Sequence, residues 1–236
     1  MKQFLRTTTM LCLLMIAFSS CGETTENDAS NLKWGHLPKL QGALIQLPPN
    51  SEINVCGLHS EITASYVKSW AQIIGRDKHL RINSSEECTV SPGGTNLIVG
   101  HKDSDPDSKL ADCRPGDGAV AFTKKQKIVL CQSVGVMVGN IDFDQSLMNR
   151  ILFHEVGHLW GLCDQNAGAV NCDPKNRSDY FSTNSLMGYE LPVNLLTDDD
   201  ITGITELSKR KDIWANSTWA EYLNNQTNPQ MADNRW

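Results

Sequence analysis

The chain reads as an α+β domain, and three observations carry that reading. Short β-rich runs recur through its first half, two longer segments place apolar residues at helical spacing, and a loop-rich stretch precedes a last helix with an acidic first turn. Of the 236 residues, about 200 remain after an N-terminal segment treated below. That is enough for one domain with a usable core. The sequence holds no internal repeat and no long low-complexity tract.

Taken in order, Ala43–Leu47 and Ile53–Leu58 read as short strands separated by Pro48, Pro49 and Asn50. Glu61–Ile74 reads as a helix, with Ile62, Tyr66, Val67, Trp70 and Ile73 or Ile74 along one side. Leu80–Asn83, Thr95–Gly100, Ala119–Phe122 and Lys127–Cys131 follow as strands. A second helix starts at the capping residues Asp142 or Asp144 and carries Leu147, Ile151, Leu159 and Leu162 on its expected buried side. Past Gly161 the chain is loop-rich as far as Thr197, which forms a capping box with Asp200 and opens a helix whose expected buried stripe is Ile201, Ile204 and Leu207. Trp214, Trp219, Tyr222 and Leu223 suggest one more packed turn, and Asn228–Trp236 a tail.

The second helix ends in the run HEVGHLWGLCD, from His154 to Asp164. Residues four apart share a helix face, so His154 and His158 can present two ring nitrogens to one cation. Glu155 lies beside the first ligand, placed to take a proton from water without entering the coordination sphere. Gly161 can adopt the left-handed backbone that ends a helix and turns the chain back, and Asp164 is then the next group able to bind. A surface helix with two chance histidines would need neither the base, nor the glycine, nor the third donor at these offsets.

This run resembles the metzincin signature HExxHxxGxxH, with Asp164 in place of the third histidine, a variant similar to snapalysin-like bacterial proteases. Downstream, Ser185, Leu186, Met187, Gly188 and Tyr189 look like the SxMxY Met-turn, whose methionine forms a soft floor under the metal. LTDDDITGITELS resembles the matrixin segment that opens the last helix, and HKDSDPDSKLADCRPGDG a degraded matrixin S-loop. The likeness covers most of the chain from about Cys56 to Leu207 and is strong only at the zinc helix and Met-turn. It implies a metzincin-like twisted mixed sheet with two main helices above the cleft and a smaller loop-rich, C-terminal helical subdomain below. In that fold Ala119–Phe122 is the edge strand, to which a substrate adds as an antiparallel strand. The activity it implies is zinc-dependent endopeptidase, with zinc on His154, His158 and Asp164, Glu155 as general base, and Tyr189 donating toward the oxyanion. The S1′ pocket is expected to be bounded by the stretch after Met187.

At the other end, Lys2 and Arg6 followed by apolar Met10–Phe18 form an export signal too short to span a bilayer. Phe18, Ser19, Ser20 and Cys21 resemble a lipoprotein box with phenylalanine where leucine is usual. Of 8 cysteines, Cys12 leaves with the signal, and lipidation of Cys21 leaves an even six for disulfides in an oxidising compartment. The expected organisation is therefore a signal peptide over 1–20, a lipid attachment site with polar tether over 21–40, and one catalytic domain over 41–236, its upper part reaching about 161. An exported cell-envelope lipoprotein follows, with simple secretion or a periplasmic protein as the alternative. Sequence-neighbour pairing suggests Cys56–Cys88, Cys113–Cys131 and Cys163–Cys172. Losing the signal takes the net charge from −6 to −8, which leaves no electrostatic footprint for nucleic acid or anionic lipid. The expected partners are a peptide or protein substrate and, through Cys21, the membrane; the protein is expected to be a monomer.

Several other groups bear on the site. Cys163 is an alternative third ligand, although thiolate zinc sites are usually structural. A gluzincin-like arrangement would instead use a distant Glu190 or Glu206, against which the early Gly161 and Asp164 argue. A non-catalytic metal-binding or adhesive lipoprotein would have no need of Glu155. His101, Asp103 and Asp112 are the candidates for a second, structural metal, but the pattern lacks the histidines to complete one, so a single zinc is expected. The acids at the start of the last helix are explained by the helix dipole without calcium.

Overall fold

In the computed structural model the described residues are 44–89, 94–104, 113, 117–122, 125–166, 169–171, 185–188 and 196–209. The signal, Cys21 and the tether, Asp112, Cys172, Tyr189, Glu190 and everything after Lys209 lie outside them. No helix among the described residues is long and apolar enough to cross a membrane.

The α+β class holds. β1 (Glu52–Gly57), β2 (Arg81–Ser85), β3 (Thr95–His101), β4 (Ala119–Phe122) and β5 (Lys127–Leu130) form one mixed sheet in the order β2-β1-β3-β5-β4. β1 runs parallel to β2 and β3, and β3 parallel to β5. β4 alone is antiparallel, pairing Ala119 with Leu130 and Phe122 with Lys127 at the edge of the sheet. That edge position, and the order strand, helix, strands, helix, are those the metzincin resemblance implies.

Helices α1 (Ser60–Ile73) and α2 (Gln145–Trp160) pack on each other and on this sheet. α1 buries Thr63, Ala64, Val67, Trp70 and Ala71, flanked by the half-buried Ile62, Tyr66, Ile73 and Ile74. Tyr66 stacks on Phe153 of α2 with centroids 4.4 Å apart, Trp70 meets the same ring edge-on at 5.8 Å, and the Trp70 indole N–H donates to the Phe153 carbonyl (3.3 Å). The contact lies immediately before His154, so α1 fixes the height of the motif over the sheet. Disulfides Cys56–Cys88 and Cys113–Cys131 close the ends of β1 and β5 as sequence-neighbour pairing suggests. Chain-entropy arguments make a loop of such length worth about 3 kcal/mol.

Four local readings are corrected. Leu44–Gln46 is a 3₁₀ turn rather than part of a strand, because Pro48 and Pro49 offer no N–H to a ladder. Two hairpins were not foreseen: β6 (Val136–Val138) with β7 (Ile141–Phe143), and β8 (Asp164–Asn166) with β9 (Ala169–Asn171). The core stripe of α2 is Met148, Leu152, Val156 and Leu159, whereas Leu147 and Ile151 are only half-buried and line a pocket. In α3 (Asp198–Lys209) Ile204 and Leu207 are buried as expected but Ile201 is exposed.

Candidate metal centre

α2 starts where Asp144 accepts the Leu147 N–H (2.7 Å), the expected N-cap; the other candidate, Asp142, lies in β7. It ends at Gly161, whose φ of 102° is left-handed. Gly161 N–H donates to His158 O (2.9 Å) and Leu162 N–H to Gly157 O (3.1 Å), the paired bonds of a Schellman turn. The turn aims the Leu162 carbonyl back at the helix, where it meets His158 Nδ1 at 2.8 Å. His154 Nδ1 meets a second carbonyl, Leu186 O, also at 2.8 Å. A ring nitrogen facing a carbonyl carries the proton, so each neutral imidazole keeps its bare Nε2 for the other side.

Those two Nε2 atoms lie 3.1 Å apart, and Asp164 Oδ1 stands 3.2 Å from that of His154 and 3.1 Å from that of His158. Three lone-pair atoms thus converge, and Asp164 Oδ1 is buried without a hydrogen-bond donor. Such a triangle is repulsive unless something positive lies against it. The donors of a tetrahedral zinc at ~2.0–2.1 Å stand roughly 3.3 Å from one another, close to the spacing here. The arrangement therefore fits a small divalent cation, with two imidazoles and one carboxylate as the donor set. Among the described residues it is the one group of three metal-ligating side chains within such reach.

The ionisation of these groups reflects the same convergence. Burial opposes a charged His158, but the Asp164 charge and contact outweigh it and push the ring up to about 9. For Asp164 burial likewise opposes charge, while His158 and the close approach of both rings hold it far below the usual carboxylate range. Burial raises the Glu155 carboxyl; the two histidines pull it back, and a hydrogen bond from the Ala121 backbone favours the carboxylate.

That last bond joins the helix to the sheet edge. Cys131 N–H donates to Gly118 O (2.8 Å), so by alternation the peptide groups of Gly118, Val120 and Phe122 face β5, and those of Ala119 and Ala121 face outward. Glu155 takes one outward N–H, and the outer edge of β4 continues past it.

Met187 is buried directly beneath α2: a Cβ on Gly157 would lie 2.4 Å from its Sδ and 3.2 Å from Trp70. Only glycine at 157 admits that approach. Sequence reasoning missed the group that holds this turn in place. Asp200, in the first turn of α3, is buried and accepts from Ser185 Oγ (2.5 Å), Leu186 N (2.8 Å), Met187 N (3.3 Å), Thr197 N (2.9 Å) and Thr197 Oγ1 (2.8 Å). The Thr197 bonds are the expected capping box; the other three tie α3 to the segment whose Leu186 carbonyl orients His154. A buried acid beside Thr197 and fifteen residues after a serine was the available signal, but nothing local distinguishes it from a dipole-complementing aspartate.

The remaining candidates fall as follows. Cys163 is disulfide-bonded, so it is no thiolate ligand. Glu206 lies on the exposed side of α3 in an ion pair with Lys209 (3.0 Å). His101 sits between Ser133 Oγ (3.1 Å) and Asp103 Oδ2 (3.3 Å). Next to this triangle of side chains, a pocket of about 180 Å³ opens between α2, the start of β4 and β7.

No protein-family model matches the chain, and no curated protein matches it. Among solved structures it is similar to that of myroilysin, at 14% identity and a TM-score of 0.38, over 71% of this chain and 97% of that one. A likeness that distant transfers no function.

Proposed function

We propose that the protein is an exported zinc-dependent endopeptidase, attached to the cell envelope through lipidated Cys21. The observation that carries the catalytic reading is the triangle of His154 Nε2, His158 Nε2 and Asp164 Oδ1, with the buried Glu155 bonded to the edge strand beside it. Bound to these three donors, zinc would polarise the scissile carbonyl and make water acidic enough to be deprotonated near neutral pH.

The chain's own residues do the rest. The outward peptide group of Ala119 and the carbonyl of Ala121, whose N–H is held by Glu155, offer a backbone ladder on which an extended substrate lies as an added antiparallel strand. Glu155, its carboxyl raised by burial, is a stronger base than an exposed glutamate. It takes a proton from the attacking water and delivers it to the departing amine nitrogen. The carbonyls of Leu186 and Leu162 hold the two imidazoles in the tautomer and orientation that ligation needs. Tyr189, two residues after Met187, is assigned the donor to the developing oxyanion.

A structural zinc site has no use for Glu155, and this separates the proposal from a non-catalytic metal-binding protein. Glu155→Gln should retain zinc by elemental analysis and lose peptide cleavage by about 10²–10⁴-fold, the usual worth of a general base. A variant that binds zinc and cleaves as fast as the parent would overturn the mechanism. For the anchor, mass spectrometry should find diacylglycerol on Cys21; an unmodified, freely secreted chain would exclude it.

A further inference from the structure

Four of the six large apolar side chains that stand exposed among the described residues, Val134, Val136, Met137 and Ile141, belong to the β6–β7 hairpin and the turn before it. From Gln132 to Ile141 the chain carries no charged residue. Cross-strand partners share a face, and the register pairs Val136 with Phe143, Met137 with Asp142 and Val138 with Ile141. One face of the hairpin is therefore Val136, Val138, Ile141 and Phe143, all apolar, and the other is Met137 and Asp142. The apolar face turns inward: Phe143 is buried in the core and Val138 packs against it. Val136 and Ile141 nevertheless stay 37% and 39% exposed, a part of that face which the core does not cover.

The uncovered part adjoins the candidate site. Ile141 and Phe143 line the pocket beside His154 and Glu155, and the approach to β4 forms another of its walls. A Cβ on Gly118 would run into Ile151 and lie 3.1 Å from the Phe143 ring, so hairpin and edge strand meet where β4 begins. An extended chain added antiparallel to β4 runs its C-terminal half toward Gly118, and Glu155 marks the reacting bond at Ala121. The hairpin thus flanks the part of a substrate that follows the cleaved bond. Side chains of a strand alternate, and residues two apart lie on one side, roughly 6.6 Å from each other. With the first residue after the bond in the pocket, the third returns to the same side beyond its rim, at Ile141 and Val136.

We infer that this hairpin selects substrates by a large aliphatic side chain at the third residue after the scissile bond, an inference that rests on the endopeptidase reading above. Val136 and Ile141 are the specificity-determining residues. A leucine there covers its own apolar surface together with theirs, whereas an asparagine of similar size finds no hydrogen-bond partner on that face. β-Branched side chains hold few rotamers, so the surface is formed before the substrate arrives and little order is lost on binding. A bilayer would instead engage the outer face first, where Met137 is 65% exposed; the continuity of the inner face with the pocket favours the peptide.

The test uses two fluorogenic peptides identical except for Leu or Asn at that position, with cleavage sites mapped by mass spectrometry. The zinc-loaded wild-type protein should favour Leu by about tenfold in kcat/KM, the effect of half-burying a leucine side chain. A variant carrying Val136→Thr and Ile141→Thr keeps both β-branched shapes and should lose most of that preference. Met137→Ser, on the opposite face, should keep it in full. Equal cleavage of the two peptides by the wild type, or a leucine preference that the double variant retains, would overturn the inference and leave the peptidase standing. If equal cleavage goes with flotation of the Cys21→Ser protein on phosphatidylcholine vesicles, and Met137→Ser abolishes that flotation, the occupant of the hairpin is a bilayer. If neither these peptides nor an unfolded protein substrate is cut, the endopeptidase reading falls and takes this one with it.

Discussion

Replacing Asp200 by asparagine changes a single charge more than ten residues from either histidine in sequence, yet it should reach the metal. The carboxylate accepts five hydrogen bonds: Oδ2 from Leu186 N, Thr197 N and Thr197 Oγ1, and Oδ1 from Ser185 Oγ and Met187 N. An amide oriented with its oxygen at the Oδ2 position keeps the first three contacts as neutral bonds. Each loses the difference between a charge-assisted and a neutral bond, about 1 kcal/mol, for a total of about 3 kcal/mol. At the other position its NH₂ group can donate to the Ser185 hydroxyl, but it opposes the Met187 N–H. That N–H still has Ser185 Oγ at 3.1 Å, so its loss is small. A loosened turn lets the Leu186 carbonyl leave His154 Nδ1, and disturbing a ligand's outer hydrogen bond typically weakens metal binding by about 10–100-fold. Urea unfolding of the zinc-free variant measures the first effect, and competition with a chromophoric chelator the second. A variant destabilised by about 3 kcal/mol that binds zinc as tightly as the parent would show that Asp200 supports the fold without orienting His154.

Gly157→Ala gains about 1 kcal/mol of helix propensity but drives a methyl into Met187 and Trp70, where overpacking costs about 1–3 kcal/mol; a net loss of stability in urea is expected. Combining it with Met187→Ala should give less than the summed loss, and strict additivity would mean that the two side chains do not meet. In the zinc-stripped protein His158 is raised from 6.5 to about 9, so its contribution to stability is complete below 6.5 and is lost as pH rises through 9. Urea midpoints of chelated protein should accordingly fall between these values, zinc-loaded protein should escape the fall, and a flat chelated profile would refute the assignment. Because a carboxylate ligand leaves the bound cation less positive than an imidazole would, Asp164→His should move the acidic limb of the pH–activity profile to lower pH. An unshifted or alkaline-shifted limb would count against Asp164 as a ligand.

The helix of the candidate metal centre was legible because its signals are local. His154 and His158 are one turn apart, Asp144 caps the same helix, and Gly161 closes it; each depends on backbone geometry within a few residues. The edge strand Ala119–Phe122 was legible from composition, though its place at the edge came from the resemblance rather than from periodicity. The β6–β7 hairpin escaped notice because Gly135 and Gly139 break up a run too short to show alternation. Leu147 and Ile151 read as core in the sequence because an apolar residue on a helix face looks the same whether it meets a sheet or lines a cleft.

The sequence alone determined which atoms were available to a cation: two imidazoles on one face, a carboxylate past a left-handed glycine, and a glutamate beside them. Tertiary structure decided how they are aimed. Leu186 O against His154 spans 32 residues, the Ala121 bond to Glu155 joins helix to sheet, and Asp200 holds the turn that carries Leu186. None of these has a periodic or spacing signature, because a backbone carbonyl or N–H belongs to every residue alike. Only the packing of α2 against the sheet and of α3 against the Met187 turn selects which of them faces the site.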